Sequence, residues 1–515
     1  MRLKKAGLRI VSGAASAAVI AAMVLTACSG GNPPASSSSI SSSSKPAPSI
    51  SQPVSSVSSS SKPVSSSSST SSSISSSISS STSTTTTPEK SDGIKWTYWK
   101  TSDTTATLTG YDKAGEKVPT GVVTLPSKVD GYTITAVGND AFKGNTDITG
   151  VVFPDTITSI GWSAFRNCKN LSQVQFPKNL TSIGVQAFEE TALVEVIFPK
   201  SEISIGGSAF RNNKSLERVE FKAKATLGTY IFENCVGLKS VVMDDETTEL
   251  GADMFRGCTG LKSIRLPQKL KTIGDRAFIQ CTSLTDITLP ESVNSIGSGA
   301  FYGCTALYSI TLPKNVEEIK DTTFSKCSGL TSVKMQGNVT SIGKGVFNEC
   351  TSLYDIVLPE SVSKIGGNAF YGCKSLESIR IPQRVSILES YTFTGCISLR
   401  TVDLNRGLRT VGQSAFSGCV GLRKIALPEG LTTIAQAAFA NDNGLKYIYL
   451  PQSLGNIGQN AFFGCSNLTD VYYGSGELNW KAVTIYDAED TISGRYIHGA
   501  TKHYFATADA LNTVI

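Results

Sequence analysis

The stretch LTDITLPESVNSIGSGAFYGC, Leu284 to Cys304, decides the fold. Leu284, Ile287 and Leu289 end in period-two alternation, the pattern of a short strand with one buried face. Pro290 lacks the N–H that a ladder needs and predicts the end of that strand. Ile296-Gly297 predicts a second short strand or bend, with the glycine permitting a backbone turn that other residues resist. Ala300-Phe301 predicts a helical or 3₁₀ turn packed over the core. Inward positions therefore include Leu284, Ile287, Leu289, Val293, Ile296, Ala300 and Phe301.

Outward from this unit the pattern recurs. Fifteen phenylalanines from Phe142 to Phe462 mark one unit each, and twelve of their fourteen intervals are 23 residues while two are 22. So short a unit cannot bury its own apolar face, and stacking against neighbours supplies the missing core. The expectation is a solenoid of 23-residue coils with parallel β strands joined by short helical or 3₁₀ turns, its array spanning 142–473. The ends of a stack need cover. Residues 94–141, with Trp96, Trp99, Tyr111 and Tyr132, are predicted to form an N-terminal cap with the first partial repeats. Residues 474–515, with Trp480, Tyr486, Tyr496 and Tyr504, are predicted to form the C-terminal cap. Lys222 and Asp244 stand where the proline belongs near Phe232, so the local shape there is expected to differ.

The N-terminus reads as an address. Arg2, Lys4, Lys5 and Arg9 precede an apolar run from Ile10 to Leu25, shorter than the roughly 20 residues of a spanning helix; residues 1–27 read as a secretory signal. Leu25-Thr26-Ala27-Cys28 resembles a bacterial lipobox, in which the Cys28 thiol would take the lipid and anchor the chain to a membrane from outside the cytoplasm. From Ser36 to Thr87, serine makes up 31 of 52 residues, too little apolar surface to fold. Residues 28–93 therefore read as a disordered Ser/Thr/Pro-rich stalk spanning roughly 40 to 50 Å.

Charge and composition narrow the function. Of the net charge of +6, residues 1–93 supply +5 (seven basic, two acidic), and the remaining 422 residues hold 40 basic and 39 acidic groups. A near-neutral body argues against nucleic acid, whose affinity comes from concentrated phosphate neutralisation. His498 and His503 are the only histidines. No P-loop, HExxH, GxSxG or paired CxxC motif occurs, so neither catalysis nor a cofactor nor a metal site is expected, and the acids read as solvated surface positions. Eleven of the twelve cysteines lie three residues after a repeat phenylalanine. Stacking would bring neighbours within bonding range, yet Cys168 has Asn145 and Thr191 beside it and Cys465 has Asp442. Free structural thiols are the expectation.

Pattern AFxxC, then LxxIxLP, then IG resembles the BspA-like leucine-rich repeat of bacterial surface proteins, over roughly residues 94–515. The resemblance implies a curved leucine-rich-repeat solenoid at a cell surface, in a family associated with adhesion and protein binding.

Ligand candidates come from the outward strand positions flanking each central Ile or Val. Most are Ser or Thr, with charges such as Arg380 and Lys424. Tyr447 and Tyr449 flank Ile448, and Tyr472 follows Val471 on the next coil, so alternation predicts three outward rings as a contact patch or as a seal toward the cap. Two ligand classes follow: an extracellular protein, or a polysaccharide stacking on the tyrosines.

Overall fold

The computed structural model describes residues 93–513. The expected signal peptide, Cys28 and all but the last residue of the expected stalk fall outside them. Within them the chain winds as a parallel β-solenoid of about fifteen 23-residue coils.

Each coil contributes to three ladders. The first joins the Leu-x-x-Ile-x-Leu strands: Ser309–Leu312 pairs in parallel with Ser332–Met335, setting Ile310 opposite Val333. The second joins two-residue strands such as Thr272–Ile273 and Ser295–Ile296. The third is at the phenylalanine, where the sequence predicts a helical or 3₁₀ turn. The structure has consecutive hydrogen-bonded turns there and no helical segment. Ile279 and Cys281 N–H groups bond the Arg276 and Phe278 carbonyls three residues back, both at 3.1 Å, while Arg276, Phe278 and Gln280 donate backbone N–H groups to Ser298, Ala300 and Tyr302 of the next coil at 2.9, 2.8 and 2.7 Å. Alternate N–H groups reach the neighbouring coil because residues two before and two after the phenylalanine are left-handed; Arg276 has φ 54° and Gln280 φ 60°. Among the described residues, helix is confined to Glu477–Ala482, Arg495–Gly499 and a 3₁₀ segment, Ala508–Thr513. No helix among them is long and apolar enough to cross a membrane.

Gly297 also differs from its expected role. Its φ is not left-handed, and a Cβ there would stand 2.4 Å from the Asp275 nitrogen. Close approach of successive coils requires the glycine, not a bend.

Consecutive repeat phenylalanines from Phe142 to Phe462 stack at 5.0–5.8 Å, with interplanar angles of 3–24°. Each contact contributes roughly 0.5 to 1.5 kcal/mol beyond area burial. A second stack, Phe153, Phe176, Phe198 and Phe221, runs beside the first over the early coils and meets it edge-on. The ladders persist where the proline is missing: Arg218–Glu220 pairs with Ser240–Val242. Asp244 replaces the proline's turn chemistry, its Oδ1 accepting the Glu246 N–H at 2.9 Å, an Asx turn.

At the amino end, Trp96–Lys100 and Thr105–Tyr111 form an antiparallel hairpin, and the latter strand pairs in parallel with Tyr132–Val137. Trp96 and Tyr111 place their rings 6.2 and 6.0 Å from Phe142. At the other end, Thr484–Ile485 extends the second ladder and Thr501–Tyr504 the first, while Trp480 packs edge-on to Tyr473 at 5.3 Å.

Candidate ligand-binding surface

The interior is occupied by structure. All eleven repeat cysteines are free and buried, and each thiol donates to the carbonyl of the preceding coil's phenylalanine, as Cys304 does to Phe278 at 3.1 Å. Burial pushes the Cys168, Cys235, Cys281, Cys327 and Cys396 thiols up to about 12. A thiol so protonated is a poor nucleophile and metal ligand. Where the column lacks cysteine, Asn213 bonds the Phe188 carbonyl at 2.7 Å and that of Phe210 at 2.8 Å. Asp442 fills the same column fully buried, and burial lifts its carboxyl well above the usual range.

The acids are not all solvated, contrary to the sequence expectation. Glu189 sits between Arg166 at 2.8 Å and Arg211 at 3.7 Å; Arg211 reaches Glu233 at 2.7 Å, and Glu233 meets Arg256 at 3.5 Å. Asp253 then takes Arg276 through Nε and Nη2. The Glu189, Glu233 and Asp253 side chains are at most 9% exposed. Burial raises the Glu189 carboxyl, against the pull of Arg166 and Arg211. This ion ladder was legible in the sequence: the residue after each phenylalanine reads Arg166, Glu189, Arg211, Glu233, Arg256.

The two histidines diverge. His503 Nε2 lies 2.8 Å from Asp470 Oδ1, whereas His498 contacts the Asp487 carbonyl at 3.1 Å. Among the described residues no group of three or more His, Cys, Asp or Glu is placed to hold a metal.

Outward strand residues fall in two columns. One sets Lys424, Tyr447, Asp470 and Thr501 in register; the other sets Ala426, Tyr449, Tyr472 and His503. The expected patch of three accessible tyrosines does not form. Tyr449 is 2% exposed and donates its hydroxyl to Glu429. The 3₁₀ segment lies against its strand, and the buried Leu511 of that segment offers its carbonyl to Lys424 Nζ at 3.0 Å. Alternation did turn Tyr449 away from the core, but the C-terminal segment covers it. Tyr472 is half-buried with its ring stacked on His503 at 4.5 Å. Tyr447 is half-buried, with Lys446 Nζ over its ring at 5.0 Å. Arg380 lies apart, 3.4 Å from both Glu360 and Asp403.

Beside Tyr447 and Lys424 runs a groove of about 1070 Å³, lined also by Arg400, Arg423, Lys446, Asn467 and Thr469, with no acidic residue in its wall. Arg400, Arg423 and Lys446 each follow the first leucine of their coil, at intervals of 23 residues. The signal for this groove lies in that position read down the repeats, outside the strand positions that flank each central Ile or Val.

Parallel coils, a continuous aromatic stack and an interior closed to solvent define a leucine-rich-repeat solenoid with its chemistry on the surface. Residues 135–262, 248–377 and 363–481 match the BspA type leucine rich repeat region, and the chain belongs to that family. A leucine-rich repeat protein from Bacteroides ovatus is 27% identical, with 81% of this chain and 99% of that one aligned and a TM-score of 0.56. A leucine rich cell surface protein from Faecalibacterium prausnitzii is 24% identical over 78% and 98% of the two chains, with a TM-score of 0.39. A leucine-rich repeat protein from Eubacterium ventriosum is 23% identical over 68% and 92%, at 0.40. No curated protein matches the chain.

Proposed function

We propose that this is a non-enzymatic cell-surface lipoprotein whose solenoid binds a protein ligand, as an adhesin does. The observation that carries the reading is the groove beside Tyr447: it brings Arg400, Arg423, Lys424 and Lys446 together with no carboxylate in its wall, while the interior polar groups are committed to stacking. In this reading residues 1–27 are removed, Cys28 carries the lipid, residues 28–93 form the stalk, and 94–141 and 474–515 cap the array. Tyr447, Lys424 and Tyr472 flank the contact surface, with Arg380 at its periphery. Protein is favoured over polysaccharide because the three tyrosines offer little free ring face: Tyr449 is buried, Tyr472 lies on His503 and Lys446 covers one face of Tyr447.

The test is capture of surface components on the immobilised chain. A bound partner should survive glycosidase treatment and be lost after proteolysis; the reverse pattern favours the polysaccharide. Anchoring has its own test. A Cys28→Ser chain should no longer take up radiolabelled lipid or stay with the membrane fraction, and retention there refutes the lipoprotein assignment.

A further inference from the structure

Arg400, Arg423 and Lys446 stand on three successive coils, so their column advances by about 4.8 Å per step. Lys424 joins them from the neighbouring strand column, held by the Leu511 carbonyl at 3.0 Å. All four are exposed. Among the described residues neither Arg400 nor Arg423 has an ion-pair partner, in contrast to Arg211, Arg256 and Arg276, which meet carboxylates at 2.7 to 3.5 Å. In the same column Glu377 precedes the run and Thr469 follows it. The run of cations is therefore bounded, and it lines a concavity rather than a flat face. Arg400 and Arg423, one coil apart and without an ion-pair partner among the described residues, repel one another, a cost that a bound anion reverses.

We propose that this groove binds an extended acidic segment of a partner protein, with Arg400, Arg423 and Lys446 receiving its carboxylates. The proposal rests on the protein-binding reading above and names the part of the partner that is recognised. Two guanidinium groups suit carboxylates because each fork offers a bidentate pair of donors. Asn467 and Thr469 add side-chain hydrogen-bonding groups at the far end of the groove. From Arg400 to Lys446 is about 10 Å, two coil steps, which an extended peptide covers in about three residues. The recognised element is thus two or three carboxylates long. A glycan fits less well, since Tyr447, the one aromatic ring in the lining, already has Lys446 over it.

The test uses the full chain and fluorescein-labelled poly-L-glutamate, followed by anisotropy at about 150 mM salt, where distant surface charges are screened. The groove variant is Arg400→Thr/Arg423→Thr/Lys446→Thr. Thr285, Thr331 and Thr469 occupy this column in other coils, so the substitutions suit the fold, and an unchanged melting curve checks it. The control, Lys314→Thr/Arg384→Thr/Arg406→Thr, removes the same charge from exposed positions outside the groove. The expected result is at least a tenfold loss of affinity for the groove variant and less than twofold for the control. Equal losses overturn the proposal, because net charge alone then explains binding. Tighter binding of heparin than of poly-L-glutamate, lost in the groove variant, also overturns it and makes the ligand an acidic glycan. If the protease-sensitive partner binds the groove variant as tightly as the parent, this site is wrong while the protein-binding reading stands.

Discussion

Asp442 occupies the place in its coil that Cys419 holds in the preceding one, and its Oδ1 accepts the Cys419 backbone N–H at 2.6 Å. Its Oδ2 is buried without a hydrogen-bond partner. Burial raises this carboxyl well above the usual range. A folded-state pKa above the unfolded one means that stability is fully present below about pH 4 and is lost as pH rises toward the folded value. Asp442→Cys restores the column residue, whose thiol has the Phe416 carbonyl to reach as the other cysteines reach theirs. It should stabilise the chain by about 1 to 3 kcal/mol at pH 8, with the advantage shrinking toward pH 4. Urea titrations at the two pH values measure it; an advantage independent of pH would mean that the carboxyl is not the source.

The thiol column makes a second prediction. Thiols pushed up to about 12 and closed to solvent should not react with Ellman's reagent at pH 8 in the folded chain, and all eleven should react in guanidinium. Fewer than eleven in denaturant, without reductant, would mean disulfides.

A third prediction tests the assignment of faces. Phe301 is fully buried between Phe278 and Phe324, at 5.4 and 5.6 Å. Phe301→Ala should cost about 3 to 5 kcal/mol, whereas the exposed Thr288→Ala should change stability by less than about 0.5 kcal/mol. Equal shifts in Tm would contradict the stack.

The coil was legible in the sequence because its determinants are local and repeated: Leu284, Ile287, Leu289 and Phe301 each announce a buried face. The left-handed residues that flank Ala300-Phe301 are marked by residue type, since Gly299 and Gly303 have φ 62° and 71°, but Arg276 and Gln280 hold the same conformation one coil earlier, where only the ladder to the next coil imposes it. Glu189 read alone is a solvated acid; its alternation with Arg166 and Arg211 from coil to coil is the information that places it in a ladder. For Tyr449 the strand pattern leaves contact and sealing both open, and its burial against the Ala508–Thr513 segment near the end of the chain is a contact that no local pattern carries.

Tyr447 and Tyr449 flank Ile448 in one strand and should therefore separate binding from sealing. Tyr449 is buried outside the main core, its hydroxyl on Glu429 and the 3₁₀ segment against its strand. Tyr449→Ala should open a cavity and cost about 3 to 5 kcal/mol, the range of large aromatic truncations, and hydrogen exchange should show Ala508–Thr513 released. Tyr447 is half-buried on the groove wall, so Tyr447→Ala should cost less than about 1 kcal/mol of stability. It should instead weaken the partner by about 1 to 2 kcal/mol, as loss of an interface aromatic commonly does. Paired melting and affinity measurements on the two variants distinguish the roles. A Tyr449→Ala chain with unchanged Tm and protected 3₁₀ segment would return Tyr449 to the binding surface, and a Tyr447→Ala chain of unchanged affinity would remove Tyr447 from it.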